Sequence, residues 1–187
     1  MLNIFELIEN RRSVFPAQYN QKPIKKSTLL KVLASANWAP NHRKTEPWRF
    51  KVLQGEAKMK LGDFLVEEMQ SANPDLSNFK KRKTLHKFEA SSAILAICMQ
   101  RDPKEQLPEW EEIAATAMAV QNIWLACTAE QIGAYWSSPK AIENFHQYFN
   151  FEDGEKCLGL FYMGYYDGDL PEGKRNSDIA EKIEWLD

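Results

Sequence analysis

Apolar positions recur along this chain in two rhythms, one of helices and one of strands. Behind Asn3, Ile4, Leu7 and Ile8 form a stripe at helical spacing. Asn3 suits the cap because its side chain accepts an N–H that the first turn leaves free. A second helix is predicted to start at Ser27 or Thr28, with Leu29, Leu30, Leu33 and Ala34 on its buried side. Pro40 and Pro47 enclose a polar loop, and residues 48–53 read as a strand. A helix over about 56–69, a polar connection at Asn73-Pro74 and another helical stretch follow. The apolar run 93–99 then reads as a buried strand. A short strand at 134–137, a helix over 139–149 and a strand at 158–162 complete the regular pattern.

Residues 110–131 break the amphipathic rule. Ala114, Ala115, Ala117, Met118, Ala119 and Val120 make the middle of this helix apolar on nearly every face, so protein must surround it. Its own domain or a partner chain could do so, and Gly133 is the expected stop signal. The stretch 165–187 is rich in Gly, Pro and charge and is predicted to end in a short amphipathic helix over 179–186. It is too polar to form a core, which suggests an arm packed on something else. Helices and strands that do not alternate regularly imply an α+β fold, a sheet covered by helices, in one domain spanning 1–187. Neither G-x-G-x-x-G nor a P-loop occurs, so side chains must hold any nucleotide phosphate.

Charge and composition narrow the function. The net charge of −2 gives no general attraction to nucleic acid or anionic lipid, and any anion site must be local. No apolar stretch approaches a membrane span, and the N-terminus lacks the basic and apolar regions of a signal peptide. Cys98, Cys127 and Cys157 are widely spaced and read as buried thiols of a reducing compartment. A cytoplasmic protein is expected.

Arg11-Arg12-Ser13 brings two guanidiniums and a hydroxyl together after the first helix, where they could fork around a phosphate or simply be solvated. Lys174-Arg175 is a second basic pair, able to close such a clamp if the tail folds back. The loop from Ala39 to Trp48 holds Asn41, His42, Arg43, Lys44, Thr45 and Glu46 between its two prolines. A loop of fixed shape often carries function, although a rigid surface turn is the plainer alternative. Trp136, Ser137 and Ser138 offer an aromatic wall and two hydroxyls, or a buried Trp with Ser138 capping the next helix. Trp110 is either a site wall or packing. His42, His86 and His146 lack metal-ligand spacing, no nucleophile elbow occurs, and the acid pair Glu111-Glu112 reads as solvated. A chain without an evident general base suits cofactor chemistry.

In combination these segments resemble the nitroreductase family, especially its short single-domain branch. The resemblance rests on Arg11-Arg12-Ser13, the A-P-x-H-x-x-x-x-P-W loop at 39–48, Leu107-Pro108-Glu109-Trp110-Glu111, Trp136-Ser137-Ser138, and Leu160-Phe161-Tyr162-Met163-Gly164-Tyr165 before the basic pair. It covers essentially the whole chain. It implies a mainly antiparallel sheet flanked by helices, in an intertwined homodimer that exchanges its C-terminal arms (165–187), with FMN in two clefts at the interface. Arg11, Arg12 and Ser13 would then hold the phosphate and ribityl side, and Lys174 and Arg175 the phosphate. His42, Lys44 and Thr45 would reach the cofactor from the other chain, and Trp136, Ser137 and Ser138 would line the flavin ring. NAD(P)H would donate hydride to flavin N5 in a ping-pong cycle, and a small nitroaromatic or quinone would be the acceptor. Two departures stand out: Phe15 occupies a position that is cationic in many members, and Lys44 and Glu46 replace the usual Asn and Gln. They motivate an alternative, a flavin-binding or regulatory module without efficient turnover. A helical interaction protein with solvated basic pairs is the remaining one.

Overall fold

The computed structural model describes residues 3–186. Helix α1 (Ile4–Asn10) is closed at its start by a reciprocal cap. Asn3 Oδ1 accepts the Phe5 and Glu6 N–H groups at 2.9 and 3.0 Å, and Glu6 accepts the Asn3 N–H at 3.0 Å. Two otherwise free donors are satisfied this way. The apolar stripe is present but uncovered, with no residue of α1 buried and Phe5 74% exposed.

Helix α2 (Lys26–Ala34) starts one residue before Ser27 and has no side-chain cap. Leu29 and Val32 are its buried positions, whereas Leu30 is exposed, so the buried face is rotated from the expected one. Strand β1 (Trp48–Leu53) leads into α3 (Gly55–Ala72), and α4 (Asn78–Ala90) follows, capped by Ser77. Next come β2 (Ala93–Gln100), α5 (Glu109–Ala129), β3 (Ile132–Ser137) and β4 (Glu155–Tyr165).

The four strands form one sheet in the order β1-β2-β4-β3, every neighbouring pair antiparallel. On one face Leu95, Ile97, Phe161 and Met163 pack with residues of α2 and α5. On the other, Ile94, Ala96, Leu160 and Tyr162 pack with Leu61 and Leu65 of α3, Phe88 of α4 and Phe145. Because β2 is covered on both faces, its sequence reads as an unbroken apolar run rather than an alternation.

Three local expectations are corrected. Gly133 does not end α5; the chain turns at Gln131 (φ 56°), and Gly133 lies in β3. There a Cβ would come 2.8 Å from the side chain of Val14, so close approach requires the glycine. The helix expected over 139–149 is 3-10 in geometry (Lys140–Gln147), and that expected over 179–186 is a single 3-10 turn, Ile179–Lys182. Phe145 anchors the first stretch in the core, whereas the second is exposed throughout.

The segment after α1 lies along the edge of the sheet. Ser13 bridges Ala134 in parallel, the Val14 N–H donates to the Ala134 carbonyl at 3.0 Å, and Tyr19 bridges Tyr166. The Tyr19 hydroxyl sits within 2.8 Å of the Val14 carbonyl and 3.0 Å of that of Tyr162. These bonds set the position of Arg11-Arg12-Ser13 relative to the sheet.

Candidate functional site

Arg11 leaves the end of α1 and lays its guanidinium over the Trp124 ring of α5, 4.6 Å from the centroid. Its Nη1 is buried without a hydrogen-bond partner. Burial, then the positive charges of Arg175 and Arg12, pull its pKa below the ordinary value. Fixed positive charge without an anion is a costly arrangement, and one that a bound anion relieves. Arg12 is differently employed. Its Nε donates to the Pro171 carbonyl at 3.0 Å, and its Nη1 donates to the carbonyls of Arg11 and Glu9. It thereby fastens the C-terminal stretch to α1 and brings Arg175 toward Arg11. A cleft of ≈ 430 Å³ lined by Ile8, Glu9, Arg12, Glu172 and Arg175 lies beside it. Lys174 is exposed and its carbonyl accepts from Arg175 Nη1 at 3.0 Å.

The loop between the two prolines is held in an unusual shape. Arg43, Lys44 and Glu46 have φ of 53°, 56° and 43°, a left-handed backbone that costs non-glycine residues about 1–3 kcal/mol each. Surrounding contacts hold it there. Asn41 Oδ1 accepts the Glu46 N–H at 3.1 Å, Arg43 donates to Gln106 at 2.6 Å, and His42 Nδ1 lies 2.7 Å from Glu111 Oε2. Trp48 is buried, and its Nε1 donates to Asn37 at 3.2 Å. Thr45 Oγ1 is buried without a partner, and Lys44 is exposed. An open cleft of ≈ 300 Å³ lies between this loop and α5, lined by Pro40, Asn41, His42, Trp110, Glu111 and Met118.

Trp136 and Ser137 are half-buried near the end of β3, and Ser138 is exposed. Ser138 caps no helix, since the following 3-10 segment begins at Lys140 with Pro139 as its cap residue.

One chain therefore brings Arg11, Arg12 and Arg175 together, with Ser13 beside β3. His42 and its neighbours are elsewhere. His42 contacts α5 at Glu111 and Arg11 contacts it at Trp124, which separates them by roughly 20 Å of helix. Among the described residues no cluster of potential metal ligands occurs, and no helix is long and apolar enough to cross a membrane.

The sequence profile of the Nitroreductase family matches residues 8–165. The chain belongs to the nitroreductase family. Membership makes it an FMN-dependent oxidoreductase that draws on NAD(P)H. Among its curated relatives, YfhC of Bacillus subtilis, provisionally named an NAD(P)H nitroreductase, is 29% identical over 95% of this chain and 91% of its own length. A nitroreductase-like family protein of Bacillus cereus has a crystal structure that superposes with a TM-score of 0.84 at 30% identity, covering 100% of this chain and 97% of the other. A protein from Desulfovibrio desulfuricans, crystallised with FMN, matches at TM-score 0.73 and 18% identity over 100% and 99% of the two chains.

Within this nitroreductase-family chain, three site features had escaped the sequence. Glu111 is paired with His42 rather than solvated, and Glu112 is fully buried against Arg101. Spacing along α5 says that the two acids face different ways, but not that each meets a cation. Trp124 supports Arg11 and donates its Nε1–H to the Arg12 carbonyl at 3.3 Å. No motif in the sequence singles it out. The packing of Phe15 on Tyr135, with ring centroids 4.6 Å apart, is the third; the sequence had shown only the residue's identity.

Proposed function

We propose that two copies of this chain form a homodimer that holds FMN in two equivalent interfacial clefts and reduces a small nitroaromatic or quinone at the expense of NAD(P)H. The observation that carries this reading is the buried, unpartnered Nη1 of Arg11, flanked by Arg12 and Arg175. A phosphate dianion there would accept a charge-assisted bond and offset three crowded cations. The donor set fits FMN: Arg11, Ser13, Lys174 and Arg175 for the phosphate and ribityl chain, with Arg12 holding the tail in place. Trp136, Ser137 and Ser138 would line the ring. When bound at these residues, FMN would supply the hydride chemistry that links NAD(P)H to the acceptor, with N5 as the expected reactive atom.

The protein's own part is orientation and exclusion of water. Arg11 is stiffened by Trp124, and the strained loop keeps His42 paired to Glu111. His42, Lys44 and Thr45 lie about 20 Å along α5 from Arg11 in the same chain, which supports their contributing to the site of the second copy. Uncovered apolar side chains also support a dimer: Phe5 on α1, Trp38, Trp110 and Met118 on or beside α5, and Ile179, Trp185 and Leu186 in the tail. Such a concentration is unusual on a free surface. We read the chain as one domain whose arm, residues 165–187, is anchored to its own chain at Pro171 by Arg12 and presents Ile179, Trp185 and Leu186 to the partner, and its free cysteines as those of a cytoplasmic protein.

The test is a visible spectrum of the purified protein reconstituted with FMN and then mixed anaerobically with NAD(P)H, alongside sedimentation for the molecular mass. A flavin spectrum that bleaches, and recovers when a nitroaromatic or quinone is added, is the expected result. Bound flavin that stays yellow would favour a binding module without turnover, the reading that Phe15 motivates. A monomer without flavin would refute the proposal.

A further inference from the structure

Cys98 of β2 and Cys157 of β4 stand directly opposite one another in the sheet. The register that pairs Ile97 with Gly159 would place Leu158 across from Cys98. A bulge between Ile97 and Cys98 advances β4 by one residue, so that Cys157 takes that place instead. A bulge re-aims side chains, and here it turns both sulfurs to the same face, that of α3 and α4. The Cys98 thiol donates to the Ala96 carbonyl at 3.8 Å, and the Cys157 thiol to the Gly159 carbonyl at 3.4 Å. Directly opposed residues of an antiparallel pair have Cα atoms about 4.5–5.5 Å apart, inside the roughly 4.4–6.8 Å that a disulfide spans.

The two sulfurs are unequal. Cys98 is fully buried and Cys157 is only partly so. Interaction between the two sulfurs, which compete for one proton, lowers the pKa of Cys157 and raises that of Cys98. Glu155 and Lys51 both face the pair and act in opposite senses, the acid disfavouring the Cys157 thiolate and the ammonium favouring it. The third cysteine, Cys127, is buried on the other face of the sheet beside Met163.

We propose that Cys98 and Cys157 are a dithiol site that peroxide converts to a reversible disulfide linking β2 to β4. The Cys157 thiolate attacks one oxygen of hydrogen peroxide, the O–O bond breaks, and the departing hydroxide takes up a proton to leave as water, with Cys157 as the sulfenic acid. Cys98 then attacks that sulfur, and its S–H proton leaves with the displaced hydroxide as a second water. Two thiols are oxidised by two electrons and one peroxide is reduced to two waters. A thiol reductant reverses the reaction. The site lies on the sheet face opposite α5 and uses none of the residues assigned to FMN.

The experiment treats the fully reduced chain with hydrogen peroxide, unfolds it without reductant, and counts alkylated cysteines by mass spectrometry. The expected product has lost about 2 Da, takes up label at Cys127 alone, and regains all three sites after dithiothreitol. Its digest should contain one peptide that joins β2 to β4. The proposal is overturned by three labelled cysteines after peroxide, by sulfinic or sulfonic acid on Cys157 with Cys98 free, or by a disulfide between chains. Cys127→Ser should still lose both remaining thiols. In Cys98→Ser, dimedone should trap the sulfenic acid on Cys157, and an unlabelled Cys157 would overturn its assignment as nucleophile. Because the readout is mass, a chain that lacked FMN would leave the test intact.

Discussion

Arg11→Met tests the central argument most directly, because stability and binding should respond in opposite directions. In the free protein Arg11 holds a buried Nη1 with no partner and is crowded by Arg12 and Arg175, while its stacking on Trp124 partly compensates. Methionine keeps the apolar contact with the ring and removes the charge, so unfolding of the flavin-free chain should change by less than about 1 kcal/mol or become harder. Binding should suffer. One lost charge-assisted hydrogen bond to the phosphate is worth about 1.5–3 kcal/mol, which corresponds to roughly 10- to 150-fold weaker FMN affinity. Arg11→Lys keeps the charge but loses the planar fork, and should fall between the two. Quenching of flavin fluorescence on titration gives the affinities, and urea unfolding gives the stabilities. An unchanged FMN affinity in Arg11→Met would refute the phosphate assignment. A loss of several kcal/mol in the flavin-free chain would show that Arg11 is structural.

Other substitutions probe the frame that carries the site. Glu112→Ala removes the partner of Arg101 and the acceptor of the Asp102 N–H at 2.9 Å, leaving a largely buried cation unpaired. It should cost about 3–5 kcal/mol in urea unfolding. At Gly164 a Cβ would lie 2.5 Å from the Tyr19 ring. Gly164→Ala should therefore destabilise by about 1–3 kcal/mol and, by displacing Tyr19 from the Val14 carbonyl, weaken FMN binding as well. Burial alone would raise the pKa of Glu155, but Lys51 at 2.9 Å and the Glu152 N–H outweigh it and the net shift is downward. A carboxylate depressed in the folded state contributes stability above its unfolded pKa, about 4.3, and loses it as pH falls through the lower folded value. Lys51→Met should flatten the stability-against-pH profile in that acid range, and an unaltered profile would count against the pair.

Patterns confined to a few neighbouring residues are legible in the sequence. Asn3 before an apolar stripe specifies a capped helix, and 93–99, apolar without alternation, specifies a buried strand; both are found, the cap with a reciprocal bond to Glu6 that the sequence reading did not include. The order of helices and strands led to an α+β sheet covered by helices, and five short segments in order led to the family, whose resemblance implied the antiparallel pairing. These features depend on backbone periodicity and local hydrogen bonding, which a sequence encodes within one or two turns.

Other properties depend on residues far apart in the chain. Glu112 is a buried ion-pair partner only because Arg101 returns to it, and Arg11 is an orphaned cation only because Trp124 and the tail enclose it. Gly133 reads locally as a stop signal, yet it is required by the approach of Val14, more than a hundred residues away. Leu30 fits a helical stripe, but which side of α2 is buried was decided by where the sheet and α5 lie. The sequence by itself thus determined the main helices and strands, their order and the family, but not the 3-10 geometry of 140–147 and 179–182. Tertiary structure alone decided which charges are paired, which apolar faces stay open and which distant residues meet, because burial and Coulomb energy depend on distances in space rather than along the chain.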